Sequence, residues 1–400
     1  MNQLKICSPI RVGMIGAGYM VKLHSLSMLN LAGLTDDPHN RFELVRLVDS
    51  NEDLAQHEAM RWGWSTAGSD WQSVTRAPNI DLVDIATPND SHYEMCLDAF
   101  AHGKHVLCEK PLAVNVEQAL VMARAAQESG KVHLVNFTYR AWPAIAQARK
   151  IIQSGKLGKI RHFEGHFFQD HNNDPTIPLH WRFRKASAGA GALGDIGSHI
   201  IDLARFLVGE LSSVCAITQR FISQRPLPQD RTLQGTVEVD DLTAALVQFE
   251  NGASGTIKAS WALPGFKNDV YFSIVGDKGA LRFSWERSNE LQIFTVDDAP
   301  EISGFRTVLV GRAHPGAELF WFPALGGDLG VGVTAQGMGY GDAFTLSFRS
   351  FANALHNNQS TPPNFVDGLR CCEIIAAILR SAENGQWINI EKHTIEKHTV

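Results

Sequence analysis

The chain has 400 residues, of which 44% are hydrophobic and 20% charged, and its formal net charge is −6. That length supports two or three domains with sizeable cores. A mildly acidic surface of mixed sign, without any run of Lys or Arg, argues against nucleic acid or an anionic membrane as a partner, since neither meets a basic field.

The N-terminus MNQLKICSPI has no apolar core followed by a small-residue cleavage site, so no secretory leader is expected. No apolar span reaches the roughly 18–20 residues of a membrane helix. The cysteines Cys7, Cys96, Cys108, Cys215, Cys371 and Cys372 show no C-x-x-C spacing. They read as reduced packing residues of a cytoplasmic protein.

Residues 10–15 are a short apolar run, as a strand buried on both faces requires. A Gly-rich turn then leads into a helical pattern over 20–32. A strand is expected over 42–48, followed by a helix opened by Ser50, with Asp53 at capping-box spacing. Residues 80–86 form another apolar run, and Ser91 with Glu94 makes a second capping box for a helix ending near Gly103. A strand over 105–108, a helix from its cap Asn115 to Gly130 and a strand over 132–137 follow. Repeated strand–helix units predict a doubly wound parallel sheet over residues 1–138.

Beyond residue 139 the pattern changes. A helix over 144–154 leads into β segments over 159–169, 213–221, 243–249, 256–261, 270–275 and 280–285. Turns such as Asn251-Gly252 and Pro264-Gly265 join them, and a helix over 195–208 interrupts them. This predicts an α+β domain on a mainly antiparallel sheet over 139–385. The glycine-rich stretch 326–341 reads as a long loop, and a final helix over 367–383 can pack on either domain. The tail 386–400 is assigned no function.

Gly16-Ala17-Gly18 follows a strand and opens a helix, the context of a dinucleotide fingerprint. Gly16 allows the tight turn, and Gly18 lets a pyrophosphate approach the helix N-terminus; Val21 stands where a third glycine is usual. The second strand ends at Asp49, placed to bond ribose hydroxyls; with no Arg directly after it, NAD is favoured over NADP. Thr87-Pro88-Asn89 also follows a strand.

Glu109-Lys110-Pro111 ends a further strand, where Lys110 can face a substrate as a cation. Asp195 and His199 are four apart and share one polar helical face, opposite Ile196, Ile200, Leu203, Ala204 and Leu207. Alcohol oxidation needs a base for the hydroxyl proton and a cation for the developing alkoxide, which His199 and Lys110 can supply. His162, His166 and His171 lack any H-E-x-x-H frame, so no metal site is expected, and no G-x-S-x-G elbow suggests a hydrolase.

The motifs GMIGAGYM with Leu23-His24, DIATPNDSH over 84–92, CEKPLA over 108–113 and GALGDIGSHIIDLARFLVG over 191–209 resemble the glucose–fructose oxidoreductase/inositol dehydrogenase (Gfo/Idh/MocA) family across nearly the whole chain. The resemblance implies a Rossmann domain for NAD and an open-faced sheet domain through which subunits form dimers or tetramers. It assigns catalysis to Lys110, Asp195 and His199. Cofactor contacts are implied for Gly16, Gly18, Tyr19, Met20, Asp49, Ser50, Thr87, Pro88, Asn89, His92, Glu109 and Lys110.

NFTYR over 136–140, QDHNNDPTIPLHWRFRK over 169–185 and NELQIF over 289–294 resemble, within the family, the enzymes that oxidise the C3 hydroxyl of glycosides and anhydrosugars. Tyr139, Arg140, Gln169, Asp170, Trp181 and Arg182 are implied to bind the sugar, with Lys110, Asp195 and His199. The implied reaction moves hydride between a ring secondary alcohol and NAD. The alternatives are an NAD-dependent glycosidase that oxidises transiently and eliminates, an inositol dehydrogenase, and a non-catalytic nucleotide-binding sensor.

Overall fold

A computed structural model describes residues 8–320 and 338–395 of the chain. Cys7, most of the glycine-rich stretch 326–341 and the end of the tail lie outside the described residues. The chain falls into two compact units: the first holds the chain to Ala141 and Tyr340–Leu369, and the second starts at Trp142 and includes Arg370–Lys392.

The first unit alternates strand and helix: β1 (Ile10–Ile15), α1 (Tyr19–Leu34), β2 (Phe42–Val48), α2 (Glu52–Trp62), β3 (Thr66–Gly68), α3 (Gln72–Thr75), β4 (Leu82–Ile85), α4 (Asn89–Ala101), β5 (His105–Cys108), α5 (Val116–Ser129) and β6 (His133–Val135). Its six strands are all parallel, in the order β3-β2-β1-β4-β5-β6. That is the doubly wound order, and its direction reverses between β1 and β4, where such sheets bind ligands. Val12, Met14, Leu82, Val83 and Ile85 are completely buried, as a strand covered on both faces requires.

Two helix starts differ from expectation. The N-cap of α2 is Asn51, which accepts the Leu54 amide at 3.1 Å, rather than Ser50. Asp49 is the cause: it accepts the Asn51 amide at 2.9 Å and holds the turn extended to that point. Ser91 lies inside α4 and donates to the Thr87 hydroxyl and the Pro88 carbonyl, each at 2.7 Å. Asn115 does cap α5, accepting from Gln118 at 2.9 Å, and Gly130 closes that helix with φ 63°.

The second unit opens with α6 (Pro143–Gln153), β7 (Ile160–Phe168), α7 (Lys185–Ala188) and α8 (Ser198–Leu207). The strands β8 (Leu211–Gln219), β9 (Gln224–Pro226), β10 (Gln234–Thr236), β11 (Leu242–Phe249), β12 (Ser254–Ser260), β13 (Asp269–Gly276), β14 (Gly279–Ser284), β15 (Glu290–Thr295) and β16 (Arg306–Leu309) follow. The chain returns to the first unit as α9 (Tyr340–His356) and the start of α10 (Phe365–Asn384), then ends the second with β17 (Ile388–Asn389).

Nine strands form one sheet in the order β16-β15-β14-β13-β7-β12-β11-β8-β17. Within this sheet, among its described pairings, only β7–β12 is parallel. Burial alternates along β11: Thr243, Ala245, Val247 and Phe249 point inward. On the inner face α8 packs against β7 and β12.

Two findings depart from the sequence reading. The expected helix over 195–208 is a π-helical turn, Leu193–Gly197, leading into α8. The helix α9 was not expected at all, and its segment 340–369 clusters with the first unit rather than the second. Phe344, Phe348 and Phe351 of α9 are buried, and α9 packs on α1. Each such ring contributes roughly 1.5–3 kcal/mol of burial, which accounts for that placement. No helix among the described residues is long and apolar enough to cross a membrane.

Candidate active site

The first unit gathers its candidate residues at the C-terminal ends of its strands. Each ladder runs one residue past the strand: the amides of Gly16, Asp49, Ala86, Glu109 and Asn136 donate to Val48, Gly68, Ile15, Ile85 and Cys108 at 2.8–3.1 Å. Main-chain bonding thus fixes these positions before any side chain acts. Gly16 has φ 110°, and a Cβ there would lie 2.6 Å from the Ala86 carbonyl oxygen, so only glycine fits at the switch point.

Gly18 begins α1 with no side-chain cap and no acidic residue in the first turn, and nothing lies within 4 Å of where its Cβ would be. The amide dipoles at that end stay available to an anion. Val21, in place of a third glycine, is buried. Tyr19 is 69% exposed at the head of the helix, and Met20 is half-buried beside it.

Asp49 accepts the Ala17 amide at 2.8 Å with one oxygen and the Asn51 amide with the other, which ties the β1–α1 turn to the start of α2. Exposed Ser50 reaches it at 3.5 Å. This glycine cradle, uncapped helix end and strand-end carboxylate fit an NAD dinucleotide.

Thr87, Pro88 and Asn89 lead from β4 into α4. His92 is fully buried behind them, with Nε2 3.0 Å from the Thr87 carbonyl and Nδ1 3.2 Å from that of Pro111. Burial opposes its charge, but the Cys108 sulfur and the Thr87 carbonyl favour it and hold its pKa at about 9. His92 therefore locks the Thr87 turn to the Glu109-Lys110-Pro111 turn rather than offering a free nitrogen to a nucleotide.

Glu109 also faces inward. Its carboxylate accepts the Asn136 amide at 2.6 Å and meets His24 Nε2 at 3.1 Å. The other nitrogen of His24 reaches Asp84 at 2.8 Å, and His24 and Asp84 are completely buried. Ser347 of α9 donates to Asn136 at 3.1 Å and closes the network.

Burial alone would strip the proton from His24, but Asp84 and Glu109 outweigh it and raise its pKa to about 10. Burial would likewise raise Glu109, yet His24, Lys110 and Asn136 hold it at about 2. Burial pushes Asp84 up, and His24 opposes that rise. Lys110 follows Glu109 directly, its own amide donating back to that carboxylate at 3.2 Å, and its peptide bond to Pro111 is cis.

Tyr139 is buried, with its ring 6.4 Å from that of Tyr340. Arg140, expected to bind sugar, places Nη2 3.0 Å from Asp367, and both side chains are largely buried. Its guanidinium is committed to holding the start of α10.

In the second unit, Trp181, Arg182 and Asp195 stand together. The Arg182 guanidinium lies 4.3 Å above the Trp181 ring, and its Nε is 3.6 Å from the Asp195 carboxylate. Gln169 donates to Asn268 at 2.6 Å, and Asp170 pairs with exposed Lys267 at 2.5 Å.

His199 is only 6% exposed, 6.0 Å from the Phe167 ring. The expected polar face of its helix is absent: Ser198 through Ala204 are all buried, because α6, β7 and β12 enclose α8. His162 and His166 lie on the sheet's other face, where His166 pairs with Asp269 at 2.8 Å.

One anchor of this site was not expected from the sequence. Asp240, buried just before β11, accepts the amides of Gly191 and Leu193 at 2.8 and 2.9 Å and the Thr243 hydroxyl at 3.0 Å. Burial raises its pKa, and the two amides oppose that rise. It caps the turn carrying Asp195, and a Cβ on Gly191 would come 2.0 Å from the Asp240 carbonyl oxygen. The acidic pair Asp240-Asp241 at a strand start was the available signal.

Comparison with known proteins finds relatives along nearly the whole chain. Residues 10–137 match the model of the oxidoreductase family with an NAD-binding Rossmann fold, and 145–282 match the GFO/IDH/MocA C-terminal domain. The chain is 38% identical over 393 residues to levoglucosan dehydrogenase of Pseudarthrobacter phenanthrenivorans, covering 95% of this chain and 98% of that protein. It is 32% identical to the D-glucoside 3-dehydrogenase of Escherichia coli, over 71% of this chain and 80% of that one. The solved structure of levoglucosan dehydrogenase in complex with NADH and levoglucosan superposes with a TM-score of 0.90 at 39% identity, covering 96% of this chain and all of that one.

Proposed function

We propose, from the premise that the chain belongs to the GFO/IDH/MocA oxidoreductase family, that it oxidises the C3 hydroxyl of a sugar, glycoside or anhydrosugar with NAD. The observation that carries the substrate class is the Trp181–Arg182–Asp195 group. It offers an aromatic face for pyranose C–H bonds beside a cation and a carboxylate for hydroxyls.

The amides at the start of α1 and the Asp49 carboxylate hold the dinucleotide. The bound nicotinamide supplies the hydride acceptor. His199 takes the hydroxyl proton, the Lys110 ammonium stabilises the alkoxide as it forms, and Asp195 holds a neighbouring hydroxyl. Glu109 and His92 act at one remove by fixing the turn that carries Lys110. The five described cysteines are free thiols, which suits a reducing cytoplasm.

NADH formation across a panel of glucosides, anhydrosugars and inositols tests the reading. Turnover of levoglucosan or a methyl glucoside supports it. Aglycone release without net NADH would replace it with a glycosidase, turnover of inositols alone with an inositol dehydrogenase, and NAD binding without turnover with a sensor.

A further inference from the structure

We infer that Arg225 is the positioning residue of the loop that binds the sugar, and that the short β9–β10 hairpin exists to hold it there. The inference rests on the proposed role of Trp181 and Arg182 as sugar contacts. Arg225 lies in β9, which pairs with β10 outside the large sheet. The residue is fully buried, yet it makes no ion pair among the described residues. Its donors go to main-chain carbonyls instead. Nη2 donates to Asn172 at 2.5 Å, and Nη1 to Asp174 at 2.7 Å and Ile177 at 3.4 Å. The guanidinium carbon lies 4.2 Å from the centre of the Phe183 ring, next to Arg182.

The segment between β7 and the 3-10 turn Trp181–Phe183 contains no helix or strand. Its carbonyls have no ladder to enter, and buried carbonyls need donors. One guanidinium supplies three of them and also braces Phe183, so a single side chain sets the path of the loop up to Trp181 and Arg182. The hairpin fits the loop on two further counts. The Leu179 amide donates to the Pro226 carbonyl at 2.8 Å. A Cβ on Gly235 of β10 would come 2.6 Å from a Leu179 methyl. Lysine cannot reproduce this contact, because a point charge has neither the planar fork nor the flat face that lies over Phe183. Burial lowers the pKa of the arginine, and Asp241 and Asp174 oppose that shift.

The test uses the full-length enzyme with levoglucosan, or methyl β-D-glucopyranoside if levoglucosan is not turned over. Arg225→Lys should raise KM by about tenfold, the scale of one charge-assisted hydrogen bond lost. kcat should stay within about threefold and NADH affinity should not change, since the loop does not hold the nucleotide. Arg225→Met should raise KM further. Should Met at this buried site prevent folding, Gly235→Ala presses on Leu179 without removing the charge, and a smaller KM increase is expected. Trp181→Ala is the control for the underlying reading and should raise KM by itself. An unchanged KM in Arg225→Lys and Gly235→Ala, with KM raised in Trp181→Ala, would overturn the positioning role alone. Equal losses of sugar and NADH affinity would reduce Arg225 to a general stability element. An unchanged KM in Trp181→Ala would overturn the sugar-contact reading, and this inference with it.

Discussion

At His199 the chemistry and the burial pull in different directions. A 6% exposed imidazole beside the Phe167 ring resembles a packing residue, yet a base shielded from water is what proton abstraction from a bound alcohol requires. Rates decide between the two roles. His199→Ala is expected to lower kcat by about 10²–10⁴-fold, the usual cost of losing a general base, with NADH affinity unchanged and partial recovery as pH rises. Near-wild-type kcat with the true substrate would make His199 structural. Lys110→Ala should lower kcat and raise KM together, because the ammonium contacts the same oxygen before and after the proton leaves. We propose that Asp49 sets cofactor choice: two main-chain amides orient its carboxylate, and a 2′-phosphate would meet that charge. Asp49→Ser should narrow the NAD-over-NADP ratio of kcat/KM, and a wild-type enzyme that uses both equally removes the assignment. The place of Asp49 and Lys110 beyond the ends of β2 and β5 was legible because a residue past a parallel strand has its position set locally. The partner of Arg140 was not, because Asp367 is 227 residues away.

The buried network around His24 is a property of elements, since it joins α1, β4, β5, the end of β6 and α9. One imidazolium serves two carboxylates, and Asn136 and Ser347 complete the hydrogen bonds. The folded state raises the His24 pKa from 6.5 to about 10, so the stability it contributes is full below its unfolded value and is lost as pH rises through about 10. Glu109, lowered from 4.5 to about 2, contributes above about pH 4.5 and loses that contribution as pH falls through about 2. His24→Gln leaves two facing carboxylates without a cation and should cost about 3–5 kcal/mol near pH 7. Urea unfolding of both proteins from pH 7 to about 10.5 checks this: the gap should close as the wild type loses its proton, and a constant gap would mean His24 is neutral in the fold.

Elements with regular period were legible from sequence. The strand over 105–108 and the Asn115-to-Gly130 helix match because apolar runs, caps and glycine ends are local signals. The π turn at Leu193–Gly197 was not, because Asp240 shapes it from a distance. The Phe344, Phe348, Phe351 and Leu355 spacing of α9 did carry a helical period, but the glycine-rich approach masked it.

The large sheet of the second unit packs α6 and α8 on one face, and among the described residues the other face carries exposed apolar side chains. Ile217 and Leu246 are 58% and 52% exposed, on adjacent antiparallel strands, with Ala244 and Cys215 directly opposite them in register. Val275 and Leu309, 37% and 63% exposed, lie farther along the same face, beyond the Lys258–Glu164 pair of β12 and β7. Apolar surface of this kind in water favours self-association, and a two-fold pairing satisfies it by laying the same patch against itself. We therefore propose a dimer or tetramer formed through this face. A stable interface needs roughly 600–1,000 Å² from each partner, which a nine-stranded sheet can supply. Leu246→Glu sets a charge near the middle of the patch, and in a closed interface the two copies of that charge are buried without a partner. Light scattering at micromolar concentration should give two or four times 44.0 kDa for the wild type and a smaller species for the variant. A wild type that runs only as a 44.0 kDa species would leave the face open to solvent and reject the assembly. A variant that keeps the wild-type mass would move the contact away from Leu246 to another part of the molecule.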